Sequence, residues 1–256
     1  MQARPATDPT ARQDAADAAD ATVQHSTVGT ADPTARQDTA DAADVADATA
    51  QQSAVGTVAS PSRSNTGALI LAAGMSSRMG SFKPMLPIGT LTIAQRVILT
   101  FREAGAGPIV LITGHQAELL EAHVRDMGVT CLHNAQYATT QMLDSIKIGL
   151  AYLIGYCDRL FLTPIDIPLF SAGTLRKLAQ CSASIAAPTH GGRKGHPILL
   201  SGAMIPHIAG YTGPGGLAGA IRASGNQVEL IEVDDEGILL DANTPGDYQK
   251  LLGIAP

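Results

Sequence analysis

Paired cysteines, long apolar runs and clustered basic residues are all missing from this chain of 256 residues, and each absence excludes a class of protein. The three cysteines, Cys131, Cys157 and Cys181, are odd in number, widely spaced and without a CxxC pair, so neither a disulfide framework nor a zinc site is favoured. A reducing cytoplasm fits that usage. No apolar run approaches the roughly 20 residues of a membrane helix, and Asp and Thr stand where a secretion signal would carry its apolar segment. The expectation is a cytoplasmic chain with no membrane contact. From residue 61 onward 14 basic residues balance 14 acidic ones. Nucleic acid needs clustered Lys and Arg to displace its counterions, so no nucleic-acid partner is expected and any bound phosphate must be held locally.

The formal net charge of -6 comes from the N-terminal part, where nine Asp face three Arg in the first 60 residues. That part repeats itself: DPTARQD at 8–14 returns at 32–38, and STVGT at 26–30 is echoed by SAVGT at 53–57. Its apolar residues are nearly all Ala and Val, which bury too little area to offset the entropy of ordering. Residues 1–66 are therefore expected to be a disordered low-complexity tail ending in a linker at 61–66, with 67–256 as one catalytic domain. An acidic docking segment is the functional alternative for the tail. Deleting residues 1–60 should leave the melting temperature and turnover nearly unchanged, and a loss of several degrees on removal would contradict this reading.

After residue 66 the pattern becomes β-α alternation. Apolar runs at 68–73, 109–113, 129–133 and 159–163 read as strands; helical periodicity marks 92–104, 116–127 and 143–153, the last with Ile146, Leu150 and Leu153 on one face. Such alternation builds a mostly parallel sheet covered by helices on both faces. Open sheets of this kind bind ligands in the crevice beyond the carboxyl ends of their strands.

The first strand runs into LAAGMSSRMGSFKP at 71–84. Its small residues let the backbone approach a ligand closely, exposed N–H groups in such a turn cradle phosphate oxygens, and Arg78 and Lys83 add the positive charge a polyphosphate requires. The string is neither a P-loop, which needs Gly-Lys followed by Ser or Thr, nor a GxGxxG fingerprint. Asp166 follows the apolar strand residues Leu160, Phe161 and Leu162 and lies between Pro164 and Pro168, where its carboxylate can face the crevice. Magnesium suits it, because that ion takes one or two protein carboxylates and completes its shell with water and substrate phosphates. Asp241, after Leu239 and Leu240 at what reads as another strand end, is the second candidate ligand, with Asn243 as a competing oxygen donor. Asp166 as a helix cap and Asp241 as a turn residue are the structural alternatives. His115 is expected to cap the helix at 116, and the cysteines are expected to be buried apolar residues.

The pattern LAAG-x-S-x-R-M-G-x-x-K resembles that of the molybdenum cofactor cytidylyltransferases, within the wider group of guanylyl- and cytidylyltransferase-like enzymes. The likeness extends through ITGH (112–115), Asn134, SIKIGL (145–150), TPIDIPL (163–169), GHP (195–197) and DANTPGDY (241–248). It implies a three-layer α/β/α nucleotidyltransferase of glycosyltransferase-A-like, Rossmann-like fold. It also implies nucleotide contacts at Leu71, Ala72, Ala73, Gly74, Arg78, Lys83, Thr113 and Asn134, catalysis through Arg78, Lys83 and Asp166, and Mg²⁺ on Asp166 and Asp241. Ser145 and His196 are weaker candidates for the acceptor. Two segments depart from the family's pattern: Gly-Met-x-x-Ser reads Gln141-Met142-Leu143-Asp144-Ser145, and Gly-Asp-x-Gly-x-Arg reads Thr212-Gly213-Pro214-Gly215-Gly216-Leu217. Both are expected on the acceptor side, which leaves the second substrate open.

The reaction this resemblance implies is transfer of CMP from CTP to a phosphate-bearing small molecule, the molybdopterin cofactor, with release of pyrophosphate. A molybdoenzyme or its maturation chaperone is the implied protein partner. A sugar- or alditol-phosphate nucleotidyltransferase of the same fold is the rival within the class, and a nucleotide-binding module without turnover is the rival outside it. Retention of Lys83 together with Asp166 argues against the latter, since a pure binder has no need of a metal carboxylate facing a phosphate cation.

Overall fold

The structure is a computed structural model that describes residues 64–75 and 79–255. The acidic repeat, most of the linker and Arg78 lie outside the described residues. The last three residues of the expected linker are strand, because β1 (Ser64–Ala72) begins at Ser64, pairing in parallel there with Cys157. A short hairpin, β2 (Pro87–Ile88) and β3 (Leu91–Thr92), leads into α1 (Ile93–Glu103). A reciprocal cap starts that helix: the Gln95 amide donates to Thr92 Oγ1 at 3.3 Å and the Thr92 amide to Gln95 Oε1 at 3.0 Å. Then follow β4 (Ile109–Thr113), α2 (Ala117–Val124), β5 (Thr130–His133), α3 (Met142–Leu153) and β6 (Cys157–Pro164). The second half carries α4 (Ala172–Ala179), β7 (Ile185–His190), β8 (Arg193–Lys194), β9 (Ile198–Ser201), α5 (Met204–Gly210), α6 (Gly216–Ala223), β10 (Glu229–Glu232) and α7 (Pro245–Ile254).

The main sheet runs β10-β7-β9-β6-β1-β4-β5, with β8 paired to β7. Its β1, β4, β5 and β6 are mutually parallel, β10 is parallel to β7, and β9 runs antiparallel to both β6 and β7. Because β1 is central, its residues are buried on both faces and read as a continuous apolar run rather than an alternating one. Ala68, Ile70 and Ala72 share one core with Val97 and Phe101 of α1 and Leu175 of α4, while Leu69 and Leu71 share the other with Ile146 and Leu150 of α3 and Ile205 of α5. The result is three layers, as the alternation predicts. Each wholly buried Leu, Ile or Phe contributes about 1.5–3 kcal/mol, which makes these two faces the main source of stability. In one of them Phe101 meets Phe161 and Phe170 at ring distances of 5.8 and 5.3 Å.

Two features of this frame position the site. The pairing of β1 with β6 continues past the strand end, where the Ile165 amide donates to the Leu71 carbonyl at 2.9 Å. On the other side the Ala242 amide donates to the Asp166 carbonyl, also at 2.9 Å. Asp166 is thus fixed between the loop leaving β1 and the segment 241–243. That segment does not follow a strand. Residues 236–239 form a 3-10 turn, started by Asp235, whose Oδ1 accepts from the Gly237 amide at 3.1 Å. The apolar run at Ile238 and Leu239 is too short to extend once this cap has closed the turn.

Candidate active site

Lys83 opens a single 3-10 turn with Pro84 and is 8% exposed. Its ammonium donates to Asn243 Oδ1 at 2.9 Å and to Asp166 Oδ2 at 3.3 Å. Asn243 in turn donates through Nδ2 to Asp241 Oδ2 at 2.7 Å. Side chains far apart in sequence therefore form one chain of contacts, Asp166–Lys83–Asn243–Asp241. An amide suits this place, because it accepts from a cation at one end and donates to a carboxylate at the other.

These four residues line a cleft of about 620 Å³ whose wall also includes Gly74, Arg193, Lys194 and His196. Arg193 and Lys194 are exposed and make no ion pair among the described residues, so their charges remain available to an anion in the cleft. A second pocket of about 220 Å³ opens from the same place, sharing Gly74, Lys83 and Asp166. It runs between the end of β1 (Leu71, Ala72, Ala73) and the start of α3, past Tyr137, Thr140, Gln141 and Ser145. Beyond Lys83 and Asp166 its lining carries no charge. The donor set suits a hard divalent cation that takes one or two carboxylates and completes its shell with water and phosphate oxygens. It does not suit a protein-enclosed zinc centre: among the described residues no group of three or more His, Cys, Asp or Glu converges on a point.

The expected site residues separate into two sets. Leu71, Ala72, Ala73, Gly74, Lys83, Asp166, Asp241, Ser145 and His196 line one or both cavities. Thr113 and Asn134 line neither. Thr113 is wholly buried and donates to Glu121 Oε1 at 2.6 Å; Asn134 is 4% exposed and holds Thr140, Ser145 and the Gln136 amide. His115 does not cap α2: its ring meets Phe82 edge-on at 5.9 Å and Tyr137 at 6.2 Å, while Gln116, in a left-handed conformation (φ 52°), occupies the cap position. His196 Nδ1 is buried without a hydrogen-bond partner. Burial, with Lys194 adding, pushes its pKa below the usual histidine value against an opposing pull from Asp166, so the ring is neutral at pH 7. Cys157 and Cys181 are buried and Cys131 partly so; burial, helped by Glu121, raises the Cys131 thiol to about 11, which leaves it protonated and unreactive. The Arg193–Lys194 pair carried no sequence signal except adjacency to GHP, and Asn243, which the sequence offers as an oxygen donor, uses the other end of its amide as well.

The family model described as the MobA-like NTP transferase domain matches residues 68–228. The chain belongs to that family. It is 31% identical over 182 residues to the molybdenum cofactor cytidylyltransferase of Escherichia coli (strain K12), an alignment covering 70% of this chain and 92% of that one. Among solved structures, Rv0371C of Mycobacterium tuberculosis H37Rv, in a complex with manganese, superposes with a TM-score of 0.63 at 22% identity over 74% of this chain and 98% of its own. The CTP:phosphocholine cytidylyltransferase of Streptococcus pneumoniae gives 0.61 at 16% identity, covering 75% and 100%. Family and fold agree with the site geometry, and the chain is a nucleotidyltransferase of glycosyltransferase-A-like fold. No helix among the described residues is long and apolar enough to cross a membrane.

Gly195 tests how firmly the family's GHP segment is held against the cleft. Its amide donates to the Pro188 carbonyl at 2.8 Å, and a Cβ there would stand 2.4 Å from the Ile238 carbonyl oxygen, which is backbone and cannot swing away. Gly195→Ala should therefore cost about 1–3 kcal/mol of stability and displace His196. Thermal melting checks it, and an unchanged midpoint would mean that the two segments are not in rigid contact.

Proposed function

We propose that the protein transfers CMP from CTP to a phosphate-bearing acceptor, the molybdopterin cofactor, with release of pyrophosphate. The observation that carries this reading is Lys83 and Asp166 in contact at the mouth shared by two unlike pockets. The narrow, uncharged pocket suits a base and sugar; the wider cleft, with Arg193, Lys194 and the two carboxylates, suits phosphates and a second anionic substrate. An acceptor phosphate oxygen attacks the α-phosphorus in line, the bond to the bridging oxygen of the β-phosphate breaks, and pyrophosphate leaves. Such a displacement needs positioning and neutralisation of charge rather than a covalent intermediate.

Lys83 is placed to follow the negative charge. In the resting site its ammonium is shared between Asp166 and Asn243, and a triphosphate offers it stronger acceptors. Arg78, by its place in the loop pattern, would add a second cation on the phosphates. Asp166 and Asp241 would hold Mg²⁺, which would neutralise phosphate charge when bound. That the Mycobacterium tuberculosis protein of this fold was solved in a complex with manganese is in keeping with a divalent cation here. The LAAG form of the loop and the cytidylyl relatives in Escherichia coli and Streptococcus pneumoniae support CTP. On this reading the product passes to a molybdoenzyme or its maturation chaperone.

A second acceptor class is favoured by one feature. The departing segment at 212–217 lines a groove of about 310 Å³ together with Gln141, Asp144 and Lys147, and Lys147 Nζ donates to the Tyr211 carbonyl at 2.5 Å. Both departures from the family pattern thus meet in one place, where a sugar or alditol phosphate could be read instead. Pyrophosphate release measured with each of the four ribonucleoside triphosphates, with and without molybdopterin cofactor, tests the proposal. Cofactor-dependent release with CTP is expected. Release that depends on a sugar or alditol phosphate would transfer the assignment to the second class, and no release with any pairing would contradict transfer altogether.

A further inference from the structure

The two exposed cations of the wide cleft stand on a short hairpin. β8 consists of Arg193 and Lys194 and, among the described residues, pairs with β7 alone, Lys194 opposite Thr189 and Arg193 opposite His190. Gly191 and Gly192, both at positive φ (57° and 75°), form the two-residue turn between them. Two residue pairs closed by two glycines give little intrinsic stiffness with which to hold two long side chains in place.

Edge strand β10 adds a brace from the other side of β7. Glu232 lies opposite Thr189 in the parallel pairing of β10 with β7, and both of its carboxylate oxygens are engaged: Oε2 accepts from Thr189 Oγ1 at 2.7 Å and Oε1 from the Gly191 amide at 3.0 Å. One contact grips the strand and the other grips the turn. The Thr189 bond above all, and the Gly191 bond after it, lower the Glu232 pKa, so the carboxylate is ionised at neutral pH. The strand end that carries it is itself tied down, because Lys177 Nζ of α4 donates to the Glu232 carbonyl at 2.7 Å and His190 Nδ1 donates to the Val233 carbonyl at 3.0 Å.

We infer that Glu232 is a positioning residue for substrate binding: it braces the hairpin and so fixes Arg193 and Lys194 at the cleft, without touching the anion they hold. The inference rests on the reading that this cleft takes an anionic substrate. Charge makes it testable, because Glu232 is itself negative. Coulomb's law alone predicts that removing it strengthens anion binding, whereas loss of a brace weakens it.

The full-length chain is titrated with CTP, inorganic pyrophosphate and molybdopterin cofactor in the presence of Mg²⁺, and Arg193→Ala/Lys194→Ala identifies which of them the hairpin holds. Glu232→Ala should weaken the same ligand by about fivefold to tenfold, the scale of ordering one or two long side chains anew on binding. Glu232→Gln keeps an oxygen for the Gly191 amide and turns its NH₂ toward Thr189, whose hydroxyl can accept as well as donate, so affinity should stay close to wild type. Adding Glu232→Ala to Arg193→Ala/Lys194→Ala should cause no further loss. Trypsin gives a second readout: cleavage after Arg193 and Lys194 should be several-fold faster in Glu232→Ala and near the wild-type rate in Glu232→Gln, with the melting midpoint almost unchanged in both. Tighter binding in Glu232→Ala, losses that multiply in the triple variant, unchanged cleavage, a midpoint lower by several degrees, or an Arg193→Ala/Lys194→Ala chain that binds all three ligands normally would each overturn the inference. A chain that binds these ligands and transfers no nucleotide would contradict the proposed function and leave the binding and cleavage tests intact.

Discussion

Lys83→Met is expected to lower turnover roughly 10²–10³-fold, about 3–4 kcal/mol of transition-state stabilisation, while the fold survives. Methionine keeps much of the aliphatic stem against Pro84 and the floor of the site, so packing changes little. What disappears is an ammonium held within reach of both Asp166 and Asn243, at the point where charge develops as pyrophosphate departs. The geometry adds a second expectation. Breaking an ion pair that is largely enclosed leaves the partner carboxylate uncompensated, and Asp166 is 22% exposed, so water can enter and soften the penalty. A loss of stability of about 1–2 kcal/mol is expected, small beside the kinetic effect. Melting and single-turnover kinetics on one preparation separate the two. Transfer within a few-fold of wild type at saturating triphosphate and Mg²⁺ would make Lys83 an ordinary buried cation.

Asp166→Asn should have the next largest effect and a different signature. The amide preserves shape, and its oxygen can still accept from Lys83, so the triphosphate should bind with nearly unchanged affinity. Removing the carboxylate charge weakens the proposed divalent-cation site, because a hard cation binds a neutral amide oxygen far less well. Turnover should fall by about 10²-fold or more, and the Mg²⁺ concentration for half-maximal activity should rise. Asp241→Asn should move the same midpoint by less, since Asp241 meets Lys83 only through Asn243. An Asp166→Asn variant with wild-type turnover and metal dependence would place the metal elsewhere.

The periodic elements were legible in the sequence because local burial decides them. The run at 109–113 is the observed strand β4 with the same bounds, its five residues all buried. The stripe of Ile146, Leu150 and Leu153 marks α3, which begins one residue before the expected start. Less legible was whatever depends on partners far along the chain. The reversal of β9 between β6 and β7 has no local sign, and β6 extends to Cys157 because its pairing with β1 begins at Ser64. Asp241 was placed at a strand end that does not exist, since three apolar residues after Asp235 and Glu236 read alike as strand or tight turn. The site divided in the same way. Small residues, a lysine and a carboxylate beyond a strand were enough to put Lys83 and Asp166 forward as candidates, and the fold brings the two into contact, whereas the contact between Lys83 and Asn243 joins residues 160 apart and emerges only from the fold. Thr113 and Asn134 carry the family's pattern, but the pattern does not show the partners that bury them, Glu121 for the first and Thr140 and Ser145 for the second.

The most direct measurement follows the phosphorus atoms themselves. CTP labelled at the α-phosphorus and, separately, at the γ-phosphorus is incubated with the full-length chain, Mg²⁺ and molybdopterin cofactor. Products are then resolved and counted. The proposed reaction puts the α label on the acceptor and the γ label in pyrophosphate, in equal amounts and only when acceptor is present. A γ label on the acceptor, or α label recovered as free CMP whether or not acceptor is added, would contradict nucleotidyl transfer at this site.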